Sequence, residues 1–166
     1  MSLALTDAAI NALAEPARSE VKALLGIKQS LYDVLGSYPL DNVLPYDYGV
    51  ILALAQGNQV GANQTVGCSI KVSADAAFIA CSVRGSSTGN YLVNARIDNS
   101  DRQLMNLPTH SNAFVGTGQR PAPLHKPLLL PANTTMSLDI TDLSGQGNDV
   151  YLYFMGFKLY QRRAGA

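Results

Sequence analysis

The chain has 166 residues, enough for one well-buried domain and too few for two ordinary ones. Lys and Arg number 12, as do Asp and Glu, and no run of like charge occurs, so the electrostatic footprint of a nucleic-acid or anionic-membrane binder is missing. Only 14% of residues are charged, against roughly 25% in an average soluble domain, so part of the exterior is expected to face other protein.

The opening segment Met1 to Asp7 lacks the basic region and long apolar core of a signal peptide. No apolar run approaches about 18 residues, so the expectation is intracellular synthesis without membrane insertion. Two cysteines are too few for a disulfide framework.

Residues 1–40 read as a helical arm. Thr6 can cap a short helix over 7–14, and Pro16, tolerated only in a first helical turn, restarts the chain. Val21, Leu24, Leu25, Leu31, Tyr32 and Leu35 then recur at three- and four-residue steps, while Arg18, Lys22 and Gln29 take other faces. The spacing predicts one amphipathic helix over 16–36, ended by Gly36 and Pro39. Its stripe either packs on its own domain or grips a neighbouring subunit. Residues 41–48, with Pro39 just before them and Pro45 within, read as an extended linker.

From Tyr48 onward the period changes from 3.6 to 2, with turn signals at short intervals. The expected fold is mainly β: an antiparallel, jelly-roll-like β-sandwich over 49–166. Candidate strands are 49–55, 65–73, 76–84, 90–98, 112–116, 124–130, 134–142 and 149–160.

With a two-residue turn at Ala74-Asp75, a hairpin over 65–84 would oppose Val66 to Val83, Cys68 to Cys81, Ile70 to Ile79 and Val72 to Ala77. Every such pair is apolar, with Phe78 an exception on the polar face. Cys68 and Cys81 are then expected as direct cross-strand neighbours, and Tyr91, Val93, Ala95 and Ile97 would extend the hairpin to a three-stranded meander.

Met136, Leu138 and Ile140 alternate with polar residues and are followed, after a turn-rich stretch, by Val150, Leu152 and Phe154; these two segments are expected to pair. The last strand also carries Tyr151, Tyr153, Met155 and Phe157 on its other face. A strand apolar on both faces is either central and covered or lies at an interface.

Chemistry finds few candidates. His110 and His125 have no carboxylate or second histidine at ligand spacing, and the cysteines are not at zinc spacing, so no metal site is expected. Asp98 to Asp101 lacks the ligand order of a calcium loop and reads as a turn. Gly116 to Arg120 lacks the Gly-Lys-Ser/Thr ending of a phosphate loop. No Gly-x-Ser-x-Gly elbow occurs, and both cysteines fall on the expected core face, so no nucleophile, no cofactor and no enzymatic role are expected. A carbohydrate-binding module would have to rely on Tyr46, Tyr48, Tyr151 and Tyr153, since Trp is absent.

The segment Pro127 to Gly145, with its Leu130-Pro131-Ala132-Asn133-Thr134 turn, and the aromatic strand Val150 to Tyr160, with a glycine near its end, resemble the closing strands of tailed-phage virion β-sandwich proteins. The resemblance covers about a third of the chain and implies a virion structural part: a capsid cement or decoration protein, or a neck, collar or tail component. It implies the major capsid protein or other virion proteins as partners, and the apolar area of the last strand and the helix, more than one domain of this size is expected to cover alone, predicts a homo-oligomer, a trimer before a dimer. The interface residues it would use are Val21, Leu24, Leu25, Leu31, Tyr32 and Leu35 of the arm and Tyr151, Tyr153 and Phe157 of the last strand. The helical arm is not general to those proteins.

Overall fold

The computed structural model of the chain describes residues 43–98 and 102–160. The expected arm, most of the Asp98 to Asp101 turn and the last six residues lie outside them. The described part is mainly β: β1 (Val43–Leu52), β2 (Thr65–Lys71), β3 (Ala77–Ser87), β4 (Tyr91–Ile97), β5 (Arg102–Gln103), β6 (Thr109–His110), β7 (Ala122–Leu130), β8 (Thr135–Asp142) and β9 (Val150–Leu159). One helical turn, α1 (Ser111–Phe114), precedes β7.

The strands form two antiparallel sheets. One has the order β1-β9-β3-β7; the other has the order β2-β8-β4-β5, with β6 also paired to β4. Phe78, Leu152 and Phe154 from the first sheet and Tyr91, Val93, Met136, Leu138 and Ile140 from the second belong to one buried cluster, the arrangement of a β-sandwich.

The inward faces expected for β4, β8 and β9 are those observed: Tyr91, Val93, Ala95 and Ile97, then Met136, Leu138 and Ile140, then Val150, Leu152 and Phe154 are all buried. The pairings differ. β2 pairs with β8, setting Cys68 against Leu138, while β3 pairs with β7 and β9 in the other sheet. The expected 65–84 hairpin is therefore a crossover between sheets, and the expected meander and the 134–160 pair fail in the same way. An apolar face alternates identically whether its partner lies beside it or across the core, so alternation alone cannot distinguish the two.

Cys68 and Cys81 are thus not cross-strand neighbours, and both thiols are free. Cys81 sits at an irregularity in β3 between Ala80 and Ser82. This bulge shifts the phase of the strand, so Phe78 and Ala80 join the core before it and Val83 after it. Ile79, expected inside, faces away from the core with Phe157, and Phe78, expected outside, is buried within it. Burial pushes both thiols up, Cys68 to about 11, which leaves them weak nucleophiles.

Two further expectations shift. β1 begins at Val43, inside the segment expected as linker, and contains Pro45; as an edge strand it tolerates a residue without an N–H. The expected strand 112–116 is instead helical over Ser111–Phe114, with the His110 ring nitrogen Nδ1 accepting the N–H of Asn112 at 3.2 Å.

Because successive long strands lie in opposite sheets, the connections must cross the end of the sandwich and be held there. At one end the buried carboxylate of Asp142 accepts the N–H groups of Asn63, Ser144 and Gly145, the Ser144 hydroxyl and the Asn148 amide, all at 2.7–3.1 Å. Asn148 itself accepts from Gly89 N–H and the Thr88 hydroxyl. At the other end buried Lys158 donates to Ser73 Oγ and both oxygens of Asp75, with the Tyr46 ring 4.4 Å from its ammonium. The resemblance motif also has a local cause: Asn133 adopts φ 63°, a left-handed position that Asn tolerates, and Thr134 N–H closes the turn on Pro131 O.

Desolvation pushes the Asp142 carboxyl up, but the bonds from Ser144, Asn63 and Asn148 outweigh it and hold the group well below the usual carboxylate range. A depressed folded-state value contributes stability that is complete above about pH 5 and is lost as pH falls through the carboxylate range. Asp142→Ala should cost about 2–4 kcal/mol in denaturant melts at pH 7 and flatten the acid limb of the stability profile. Tyr91 gives the opposite case: its buried hydroxyl has no partner among the described residues. Tyr91→Phe should leave stability unchanged or raise it by up to about 1 kcal/mol in the same melts.

Candidate functional site

In an antiparallel pair directly opposed residues share a face, so the registers of β1, β9, β3 and β7 assign the outer face of their sheet row by row. Val43, Leu159 and Ala77 form one row; Pro45, Phe157, Ile79 and Leu129 the next; then Asp47, Met155 and Ser82; then Gly49, Tyr153 and Arg84; then Ile51, Tyr151 and Ser86. Tyr151, Tyr153 and Phe157, expected as interface residues, all lie on this face and are half-buried. The six expected arm residues, Val21 to Leu35, lie outside the described residues.

The face has two halves. Around Tyr153 it is polar and aromatic. A Cβ on Gly49 would collide with the Tyr153 ring, so the absence of a side chain at 49 is what lets the ring lie over β1. Arg84 stands over the same ring, 5.7 Å from its centroid, and bonds Asp47 at 2.8 Å. The Arg84–Asp47 pair is about one-third exposed at each end, so its value is in holding Tyr153 more than in stability. A shallow depression of about 290 Å³ lies here, lined by Arg84, Gly85, Ser86, Gly118 and Tyr153.

Around Phe157 the face is apolar throughout. Ile79 and Leu159 belong to it, and both are 0% exposed although they point away from the core.

A separate cleft of about 560 Å³ opens between the β7 edge and the segments before β6 and around α1. Leu104, Met105, Phe114, Leu124, Leu128 and Phe154 wall it, and His125 and Lys126 are the titratable groups in its lining. His110, outside that lining, serves as the cap of α1. Gly116 to Arg120 forms a turn in which Thr117 and Arg120 bond each other, not a phosphate cradle. Among the described residues no group of three or more His, Cys, Asp or Glu could hold a metal ion, and no helix is long and apolar enough to cross a membrane.

The sequence reading missed Arg84, Asp47 and Gly49 as parts of this face. Only Gly49 carried a signal, since glycine inside a strand marks close approach of another group. The Arg84–Asp47 contact joins residues 37 apart and leaves no local trace.

Comparison with protein-family models, with curated proteins and with solved structures finds no match to this chain.

Gly49→Val should force the Tyr153 ring off β1 and cost about 1–3 kcal/mol through overpacking. Arg84→Ala should change stability by less than about 1 kcal/mol while altering the near-ultraviolet tyrosine dichroism, which reports ring immobilisation.

Proposed function

We propose that this chain is a virion structural protein and not an enzyme: a capsid cement or decoration protein of a tailed phage. In this reading a jelly-roll sandwich carries a helical arm over residues 1–40. The outer face of the β1-β9-β3-β7 sheet carries the proposal. In a sandwich whose inner faces already fill the core, a second side of β9 that carries Tyr151, Tyr153, Met155 and Phe157 is surface meant for protein.

The strand orders support the jelly-roll part. Apart from the two short pieces on β4, strands alternate between the sheets, as in the eight-stranded jelly rolls found in viral capsid and lectin domains. Architecture by itself does not fix function, and the weight therefore rests on the face. The resemblance of Pro127 to Gly145 and Val150 to Tyr160 to phage virion proteins adds the class of particle.

A cement protein works by mass action. It binds the assembled shell and not the dispersed subunits, so it raises the free energy of disassembly by its own binding free energy. The partners are sister copies, a trimer before a dimer, and the major capsid protein. The location is the virion after synthesis in the host cytoplasm, with neither nucleic acid nor membrane as partner. A collar or tail position would use the same surfaces.

One observation favours a second reading, a carbohydrate-binding module. Tyr153, with Arg84 over its ring and Asp47 and Ser86 on the same face, brings together an aromatic ring and hydrogen-bonding groups, the two elements a sugar site uses. Tyr46 and Tyr48 are not part of that group: they have the opposite orientation in β1, with Tyr48 against Phe78 of the core.

Purified particles should contain the protein in a fixed ratio to the major capsid protein, and the free protein at micromolar concentration should have a mass in solution that exceeds 17.7 kDa by an integer factor, a stable monomer counting against the oligomer. Tyr151→Ala with Tyr153→Ala should weaken binding to empty shells at least about tenfold, the usual loss when central aromatic contacts are truncated. Undiminished shell binding by this variant rules out the face as the contact, and retention of a defined oligosaccharide by the wild type alone shifts the assignment to the sugar module.

A further inference from the structure

An outermost strand turns one row of N–H and C=O groups away from its sheet, and another chain can pair with them unless something prevents it. The outermost strands here are β1 and β7 in one sheet, β2 and β5 in the other. Proline interrupts β1 and β7, and β5 has only 2 residues. β2 has neither protection. Its 7 residues, Thr-Val-Gly-Cys-Ser-Ile-Lys, include no proline, and its register with β8 runs from Thr65 to Lys71 without a shift. Among the described residues no strand pairs with its other side.

The direction of each backbone group in β2 follows from the bonds at its ends. Asp142 N–H donates to Gln64 O and Val72 N–H donates to Thr134 O, and both couples continue the β2–β8 register by one residue. Hydrogen-bonded pairs alternate with non-bonded ones along an antiparallel ladder, so Val66, Cys68 and Ile70 spend their backbone groups on β8. The N–H and C=O groups of Thr65, Gly67, Ser69 and Lys71 point to the open edge. The side chains divide the same way: Val66, Cys68 and Ile70 pack on the core, while the four odd-numbered residues are exposed on the outer side of the sheet.

We infer that this edge is an interaction surface for a second copy of the chain, whose own β2 adds antiparallel across a two-fold axis at Cys68 and joins the two sheets into one. The segment is complementary to itself about that residue. Val66 falls opposite Ile70 of the second copy and Cys68 opposite its counterpart, so apolar meets apolar on the core side. Gly67 falls opposite Ser69 and Thr65 opposite Lys71, so the two Lys71 side chains lie at opposite ends of the seam and no like charges are opposed. Every outward N–H and C=O of the strand then finds a partner. A slip of one residue would set core-side residues against outer ones, and an axis at Gly67 or Ser69 would leave one end of the strand unpaired. Val66 and Cys68, partly exposed at the side of the core, gain cover from the same two residues of the second copy.

The contact closes after two copies, so it selects the dimer from the two symmetries expected. It names the surface through which the sister copies proposed above would meet and rests on that part of the proposal alone; the outer face of the other sheet stays free for a shell.

The test uses the full chain. Sedimentation equilibrium from submicromolar to high-micromolar protein should show monomer passing to dimer. Over the same range the amides of Gly67, Ser69 and Lys71 should gain protection from hydrogen exchange, while those of Val66, Cys68 and Ile70 are protected throughout. Ser69→Pro, which removes an N–H that the fold itself does not use, should keep the melting temperature within a few degrees and weaken dimerisation at least about tenfold, since each copy loses a bond and sets a ring in the seam. The register places the two Cys68 residues as a non-hydrogen-bonded pair, with Cα atoms about 4.5 Å apart, within disulfide range. Copper-phenanthroline oxidation of the Cys81→Ala protein should therefore yield a disulfide-linked dimer by intact mass. A trimer, or a dimer whose Gly67, Ser69 and Lys71 amides exchange equally fast at every concentration, overturns the inference and leaves the assembly role intact. A monomer at every concentration overturns it as well. No shell or sugar enters these measurements, so their outcome is separate from that of shell binding.

Discussion

The architecture hangs on one buried charged group. Asp142 closes β8 and is almost fully inaccessible, yet its carboxyl is held well below the usual carboxylate range because N–H and O–H groups of Asn63, Ser144, Gly145 and Asn148 donate to it. Its donors come from the β1–β2 connection and from the β8–β9 connection, and through Asn148 it reaches the β3–β4 turn. Three links that cross between the sheets are therefore fastened at a single point. Apolar packing specifies that the two inner faces meet, but it is indifferent to small slides of one sheet over the other. A carboxylate with fixed hydrogen-bond directions is not indifferent, because any slide would strand a buried charge. Lys158 and Asp75 serve the opposite end, where Tyr48 bonds Ser73 and so ties β1 to the β2–β3 crossover.

How much of this was legible in the sequence follows from what each signal physically reports. Period-two alternation reports which side of a strand is dry, and the residues it placed inward in β4, β8 and β9 are all buried, although it did not find Asp142, Lys158 or Leu159. It does not report the neighbour. The Val66-to-Val83 pairing was apolar in every pair and still wrong, since Ile70 and Val72 look across the core instead of along a hairpin. In β3 even the side was misread before Val83, because one extra residue near Cys81 shifts the phase and nothing in Ala80-Cys81-Ser82 announces a bulge. Gly156 is the trace it leaves: a side chain there would run into the Ile79 carbonyl, so the backbones of β9 and β3 come close beside the bulge.

The candidate face was half legible for the same reason. Tyr151, Tyr153 and Phe157 were assigned to a common side by parity, and parity is what the register bears out. Their setting was not legible, because Arg84 and Asp47 come from different strands on either side of β9. The change along the face from polar to apolar is likewise a property of four strands in register. Each strand alone shows only a mixture.

The two outer strands of the β1-β9-β3-β7 sheet both carry proline: Pro45 in β1, Pro123 and Pro127 in β7. Proline offers no donor to an approaching strand and holds its ring in the way, so neither margin is a template on which another chain could be added sideways. High local concentration is the condition under which open sheet margins zip together into fibres. Here growth in that direction is blocked at both ends of the sheet. What this sheet offers to another molecule is the side chains on its flat, and not the backbone at its rim.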